Sequence, residues 1–291
     1  MRFDWYQATI EDTPVQVVET LLKLGHEVRQ ADGPAKAYRY KQGWEIHHNQ
    51  RGVVARIFAG GNGDKPHALA SSDETDAFVD LVRNEWSGRH LVTRMDSAQD
   101  FNEAGAYRRL RRVARKVAKA RRMSFRAVVD ELNPEAGRTQ YIGSNKSDYL
   151  GRLYEKGFEQ MGKVRGLLPG MHLETITNMT TGEQVKPEDW VRLELQARPQ
   201  GEEARRLASI ATPEQAWTFT EWTQELAKEA MSLDLERFFI RTRKMSKDDE
   251  ALRWMCQQYG GMLGRLQNDL GDFACVGLEI GRIIKEQQKA D

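Results

Sequence analysis

Residues 90–97, His90-Leu91-Val92-Thr93-Arg94-Met95-Asp96-Ser97, are the stretch on which the fold turns. They alternate as a β-strand does, with Arg94 and Asp96 on one face and Thr93 and Met95 on the other. Upstream, Phe3–Ile10 reads as a strand, and Thr13-Pro14 opens a helix through Val17, Val18, Leu21 and Leu22 that stops at Gly25. Strands are expected around 38–47 and 53–58, then a helix over 72–86 with a serine N-cap. Residues 90–97 close that β-α-β-β-α-β pattern and open another. Downstream follow a long helix over about 106–122, a second helix over 125–132, and a hairpin of 138–144 with 148–156. A cleanly alternating strand over 190–198 ends the pattern. From residue 202 every apolar run has helical spacing. The expectation is an α+β fold: two ferredoxin-like units with antiparallel sheets, residues 1–90 and 91–200, then a helical C-terminal region over 201–291.

Bulk properties narrow the class. A chain of 291 residues buries a core without help from disulfides or metal. Its 40% apolar and 30% charged residues are ordinary for a globular protein. Cys256 and Cys275 have no histidine cluster near them in sequence, which argues against a zinc site or disulfide framework and suggests reduced, buried thiols. The opening MRFDWYQATI lacks the apolar core of a signal peptide, and no window approaches the ~18 apolar residues of a membrane span. A soluble cytoplasmic protein without a membrane partner is expected.

The net charge of +1 conceals a strong local imbalance. Between residues 108 and 122 stand Arg108, Arg109, Arg111, Arg112, Arg115, Lys116, Lys119, Arg121 and Arg122, with no acid among them. Leu110, Val113, Ala114 and Val117 fall at i, i+3, i+4, i+7, so the helix docks by a narrow apolar stripe and turns its cations outward. Like charges at i,i+4 repel by a few tenths of a kcal/mol. Tolerating so many points to a polyanionic partner, with nucleic-acid phosphates the natural choice.

Three acids lie on or at the end of predicted strands: Asp96, Glu155 and Glu194. In a ferredoxin-like second unit its first strand would sit between the other two that carry these acids. The three carboxylates could then share one sheet face and hold Mg²⁺ or Mn²⁺. Each acid taken singly could equally form an ion pair with Arg94, Arg152 or Arg192.

The run Thr139-Gln140-Tyr141-Ile142-Gly143-Ser144-Asn145-Lys146-Ser147, leading to Arg152-Leu153-Tyr154-Glu155-Lys156-Gly157, resembles a known signature. It is the T-x-Y-x-G-S-x-x-S … R-x-Y-[DE]-K-G pattern of the replication initiation factors of rolling-circle plasmids and filamentous phages. Residues 93–100 are similar to that family's R-[IL]-D-x-A-x-D strand, and Trp190-Val191-Arg192-Leu193-Glu194 to its W-x-R-x-E strand. The resemblance spans about residues 3–200, in order. It implies strand nicking at a replication origin, on single-stranded or hairpin DNA, by tyrosine attack beside a metal held by Asp96, Glu155 and Glu194. Lys156 and Arg152 would assist catalysis, and Ser144 and Lys146 would contact DNA with the basic helix. Host helicase and polymerase, and a homodimer joined by the helical tail, are the partners it implies.

The chain departs from the family at one point. The nucleophilic tyrosine of plasmid members follows the W-x-R-x-E strand on a helix, and residues 198–207 contain no tyrosine. Tyr141, Tyr149 and Tyr154 are the remaining candidates, Tyr141 first because it precedes a Gly-Ser turn. The missing tyrosine leaves open a member that binds DNA without cutting it. A third class, an α+β protein whose basic helix contacts RNA, is also open.

Overall fold

The N-terminal strand β1 (Arg2–Ile10) leads into α1 (Pro14–Leu21), where Thr13 accepts a hydrogen bond from the Gln16 amide and Pro14 takes the first helical position. Next come β2 (Glu27–Gln30), the short α2 (Asp32–Ala37), β3 (Gln42–His48), β4 (Gly52–Ala59), β5 (His67–Ser71), α3 (Thr75–Glu85) and β6 (His90–Asn102). The chain continues through α4 (Ala106–Ala120), β7 (Phe125–Val129), β8 (Arg138–Ile142), β9 (Tyr149–Tyr154) and α5 (Lys156–Leu167). The two-residue strands β10 (Ile176–Thr177) and β11 (Gln184–Val185) precede β12 (Trp190–Ala197). Three helices follow, α6 (Glu202–Ala208), α7 (Pro213–Ala216) and α8 (Glu221–Met231). This computed structural model describes residues 1–61, 63–167, 173–178, 181–238 and 247–290.

Ten strands form one antiparallel sheet in the order β2-β3-β4-β5-β1-β6-β12-β9-β8-β7. The α+β class, the antiparallel pairing and the helical C-terminal region agree with the sequence reading. The arrangement within the second half does not. Its first strand, β6, was expected in the middle, but β12 stands there, between β6 and β9. The reason is edge availability: β1 occupies one edge of β6, so only the other edge is free, and β12 takes it over eight register pairs. β6 is therefore shared by both halves, and the expected divisions at residues 90 and 200 fall inside one unit, Met1–Thr242. The helix expected over 125–132 is instead strand β7, whose Phe and Val residues pair with β8. β2, α2 and β5 had no counterpart in the sequence reading.

One face of the sheet carries the main core. On β12, Val191, Leu193, Leu195 and Ala197 are all fully buried beneath α4, α6 and α8, with Leu110, Ala114, Ala208, Trp217 and Leu226 among the packing partners. A bulge opposite Gln7 and Ala8 lets Val92 and Met95 both face this core. The second face carries α2 against Phe58 and Leu69, and α5 against Trp190. Between those two patches lie polar and charged side chains.

The second unit, Arg243–Asp291, contains α9 (Lys247–Leu270) and α10 (Phe273–Ala290), linked through Gly271 in a left-handed conformation (φ 101°). α9 runs without a break through residues 257–261, past Gly260 and Gly261. Cys256 and Cys275 are exposed free thiols, not the buried ones expected, because both sit on these sparsely packed helices. Among the described residues no helix is long and apolar enough to cross a membrane.

Trp217 ties the helical layer to the sheet: fully buried, it donates from Nε1 to Ser97 Oγ at 2.9 Å. Trp217→Ala is expected to cost about 3–5 kcal/mol of stability, read as a lower urea midpoint at unchanged denaturant slope.

Candidate functional site

Strand register assembles the polar face row by row. One row crosses six strands: Arg126 on β7, Tyr141 on β8, Arg152 on β9, Glu194 on β12, Ala98 on β6 and Arg2 on β1. The adjacent row runs Val128, Thr139, Tyr154, Arg192 and Asp100. Because side chains alternate, all of these project from the face opposite the main core.

At the centre of these rows is an ion network. Arg94 donates to both oxygens of Asp96, at 2.9 and 2.5 Å, and its guanidinium stacks 4.5 Å over the Trp5 ring. Arg152 donates to Asp96 at 2.9 Å and also to Glu194, so one guanidinium bridges two carboxylates that are each 1% exposed. Tyr154 donates its hydroxyl proton to the other Glu194 oxygen at 3.0 Å. Burial pushes the Glu194 pKa up to about 7, with Arg152 pulling it down and the Asp96 and Asp4 carboxylates adding to the rise. Burial alone would lower the Arg152 pKa, but Glu194 and Asp96 outweigh it and hold the guanidinium firmly charged.

A second network lies one row away. Arg192, 1% exposed, donates to both oxygens of Asp100 at 2.6 and 2.8 Å and to Asp4 at 2.6 Å. Asp4 and Asp100 were missed from sequence. Asp100 was legible: carrying the strand three residues beyond Ser97 places Asp100 on the face of Asp96. Asp4 had no local signal, since its role depends on β1 pairing with β6.

Of the three acids proposed as metal ligands, Asp96 and Glu194 meet and Glu155 does not. Tyr154 projects to the polar face, so its neighbour Glu155 projects to the α4 side. There Glu155 accepts from the Arg138 amide at 2.8 Å and from its guanidinium at 3.0 and 2.5 Å. Asp96 and Glu194 are engaged by Arg94, Arg152 and Tyr154. Among the described residues no three His, Cys, Asp or Glu side chains are grouped to hold a metal ion. The expected Mg²⁺ or Mn²⁺ seat of three carboxylates does not fit this arrangement.

The three hairpin tyrosines occupy different settings. Tyr149 faces the core against Phe219, its hydroxyl buried without a partner among the described residues and its pKa raised by burial and by Asp148. Tyr154 is held by Glu194, and burial and that carboxylate raise its pKa strongly. Tyr141 is half-buried on the polar face directly across from Arg152, with the Arg126 guanidinium 5.1 Å over its ring. Its hydroxyl makes no hydrogen bond within the described residues. Lys156 is not beside it: the ammonium is drawn to Glu159 at 2.9 and 3.0 Å. Two signature glycines have clear causes. Gly143 turns the chain at φ 95°, and Gly157 packs so closely on the Pro187 backbone that any Cβ would collide.

Helix α4 presents its cations unequally. Arg109 pairs with Glu103, Lys116 with Glu229, and Arg121 with Glu221 and Glu225, the last two directed at α8. Arg111 donates to Gln140. Arg108, Arg112, Arg115, Lys119 and Arg122 are without an ion pair among the described residues and, like Ser144 and Lys146 in the turn after β8, are exposed.

No protein-family model and no curated protein matches the chain. A solved structure of a rolling circle replication initiator protein from Geobacillus stearothermophilus is similar, at 20% identity and a TM-score of 0.49, over 74% of this chain and 82% of that one.

The buried Glu194 gives a pH test. Its pKa is raised on folding, so its contribution is fully present below the ordinary carboxylate pKa and is lost as pH rises through about 7. Wild-type stability should fall between pH 4.5 and 7.5 by more than that of Glu194→Gln, measured by urea denaturation across that window.

Proposed function

We propose that this chain is a DNA strand-nicking initiator of rolling-circle replication, with Tyr141 as nucleophile. The observation that carries the reading is the setting of Tyr141: a phenol whose hydroxyl makes no hydrogen bond among the described residues, on the polar face, across from Arg152 and beneath Arg126. The tyrosine oxygen attacks the scissile phosphorus, the bond from phosphorus to the 3′ oxygen breaks, and the proton given up by the phenol is restored to that oxygen through solvent. The products are a 5′-phosphotyrosine and a free 3′-OH that a polymerase can extend. Arg152 and Arg126 meet the charge that develops on the phosphorane oxygens. Asp96 and Glu194 hold Arg152 in place. No step is assigned to a divalent ion, for which the donor set does not fit. The unpaired cations of α4, with Ser144 and Lys146, bind the flanking DNA.

A second reading, a DNA-binding protein on the same scaffold that does not cut, is favoured by two observations. The carboxylates that would serve a metal are occupied by arginines, and α6 has no tyrosine.

Supercoiled DNA carrying the region around the gene, incubated with the protein with and without Mn²⁺, tests both. The expected product is an open circle with DNA joined to Tyr141, identified by peptide mass spectrometry. Tyr141→Phe should abolish the adduct and Tyr154→Phe should leave it. Tight, salt-sensitive binding without an adduct selects the second reading.

A further inference from the structure

The cations of α4 that escape ion pairing do not simply face outward. Arg108, Arg111, Arg112 and Arg115 line one wall of a cleft of about 770 Å³, and Arg138 of β8 stands in it as well. Among the described residues that border the same space, the carboxylates are Glu188 and Asp189. The opposite wall belongs to the edge strand β7, where Ala127 and the 49%-exposed Val129 present apolar surface. The Arg138 guanidinium lies 4.4 Å over the ring of Tyr107, and a guanidinium is a flat surface of the kind on which bases stack.

This combination fits one class of ligand. The four guanidiniums of α4 suit a chain of phosphates, while apolar and planar surfaces suit unpaired bases. A duplex keeps the flat faces of its bases stacked and out of reach of such surfaces. Position supplies a further argument. Along β7, Arg126 points to the face of Tyr141, whereas Ala127 and Val129 point into the cleft. Only one strand width, about 4.8 Å, separates Tyr141 on β8 from the free edge of β7.

We propose that the cleft between α4 and β7 binds single-stranded DNA, and that the strand crosses the edge of β7 to reach Tyr141. The proposal rests on the DNA reading above and deepens it: the substrate enters as an unpaired strand held on both faces of the sheet edge.

The test uses the full chain carrying Tyr141→Phe, so that binding is measured with no nicking, and a fluorescent oligo(dT) read by anisotropy over a range of salt. Combined Arg108→Ala, Arg112→Ala and Arg115→Ala should weaken binding at least about tenfold. The plot of log affinity against log salt should become shallower by about 2, the loss of three single-strand phosphate contacts. Lys116→Ala with Arg121→Ala, whose cations are committed to α8, should change affinity by less than about twofold. Ala127→Trp keeps every charge but fills the cleft, and should also weaken binding; circular dichroism confirms that each variant is folded. Unchanged oligo(dT) affinity in the triple variant overturns the proposal. So does an Ala127→Trp protein that binds as wild type does, since the charges would then act without the cleft. Equal or tighter binding of oligo(U) overturns the assignment to DNA. Any of these results can arise whether or not Tyr141 forms an adduct, so the two readings fail separately.

Discussion

The guanidinium of Arg152 between Asp96 and Glu194 is the contact on which the rest of the polar face depends. Two carboxylates 1% exposed are costly unless each is paired and hydrogen-bonded. The pairing exists in only one register of three strands. A one-residue slip of β9 against β12 would carry Arg152 into the apolar core and bring Leu153 out beside Glu194. The opposite face makes the same demand, since Val191, Leu193, Leu195 and Ala197 are buried only in that register. Agreement between an electrostatic and an apolar constraint is what fixes a single arrangement in the middle of a ten-stranded sheet.

The same alternation explains why one short signature serves two places. In Arg152-Leu153-Tyr154-Glu155, the first and third residues join the network around Glu194, and the second enters the core. The fourth reaches Arg138 beneath α4. Glu155 therefore orders the wall of the basic cleft by anchoring Arg138 over Tyr107, and it adds no charge to the face of Tyr141. With Asp96 and Glu194 neutralised by Arg94 and Arg152, the cation left over beside Tyr141 is Arg126. That is the sign a phosphate requires.

Much of this was legible in the sequence where the signal was local. The strand periods of β1, β6 and β12, the Thr13-Pro14 helix start and the basic helix all follow from spacing and side-chain type. Arg94 and Asp96 were placed on one face by counting alone. What escaped depended on partners distant in the chain. β7 reads as helix until β8 supplies its ladder, and β12 enters the middle of its half because β1 has already taken one edge of β6. The short β2 and β5 carry little periodicity of their own. The nine cations of α4 look equivalent in sequence, and only α8, a hundred or more residues on, separates Lys116 and Arg121 from Arg108, Arg112 and Arg115. The convergence of three carboxylates failed for a simpler reason: Glu155 is odd where Arg152 and Tyr154 are even, so it had to face the other way.

The edge strand β7 joins these themes. An unpaired strand with exposed Val128 and Val129 invites another chain to add to the sheet, and natural edges are usually blunted by charge. Here the blunting is cationic: Arg126 stands on one side of the strand and the arginines of α4 on the other. A second copy of the same edge would bring like charges together, which opposes extension of the sheet by self-association there. A polyanion meets no such repulsion. The charges that keep the edge from pairing with protein thus leave it approachable by a phosphate backbone, at the one border of the sheet where the faces of Tyr141 and of α4 meet.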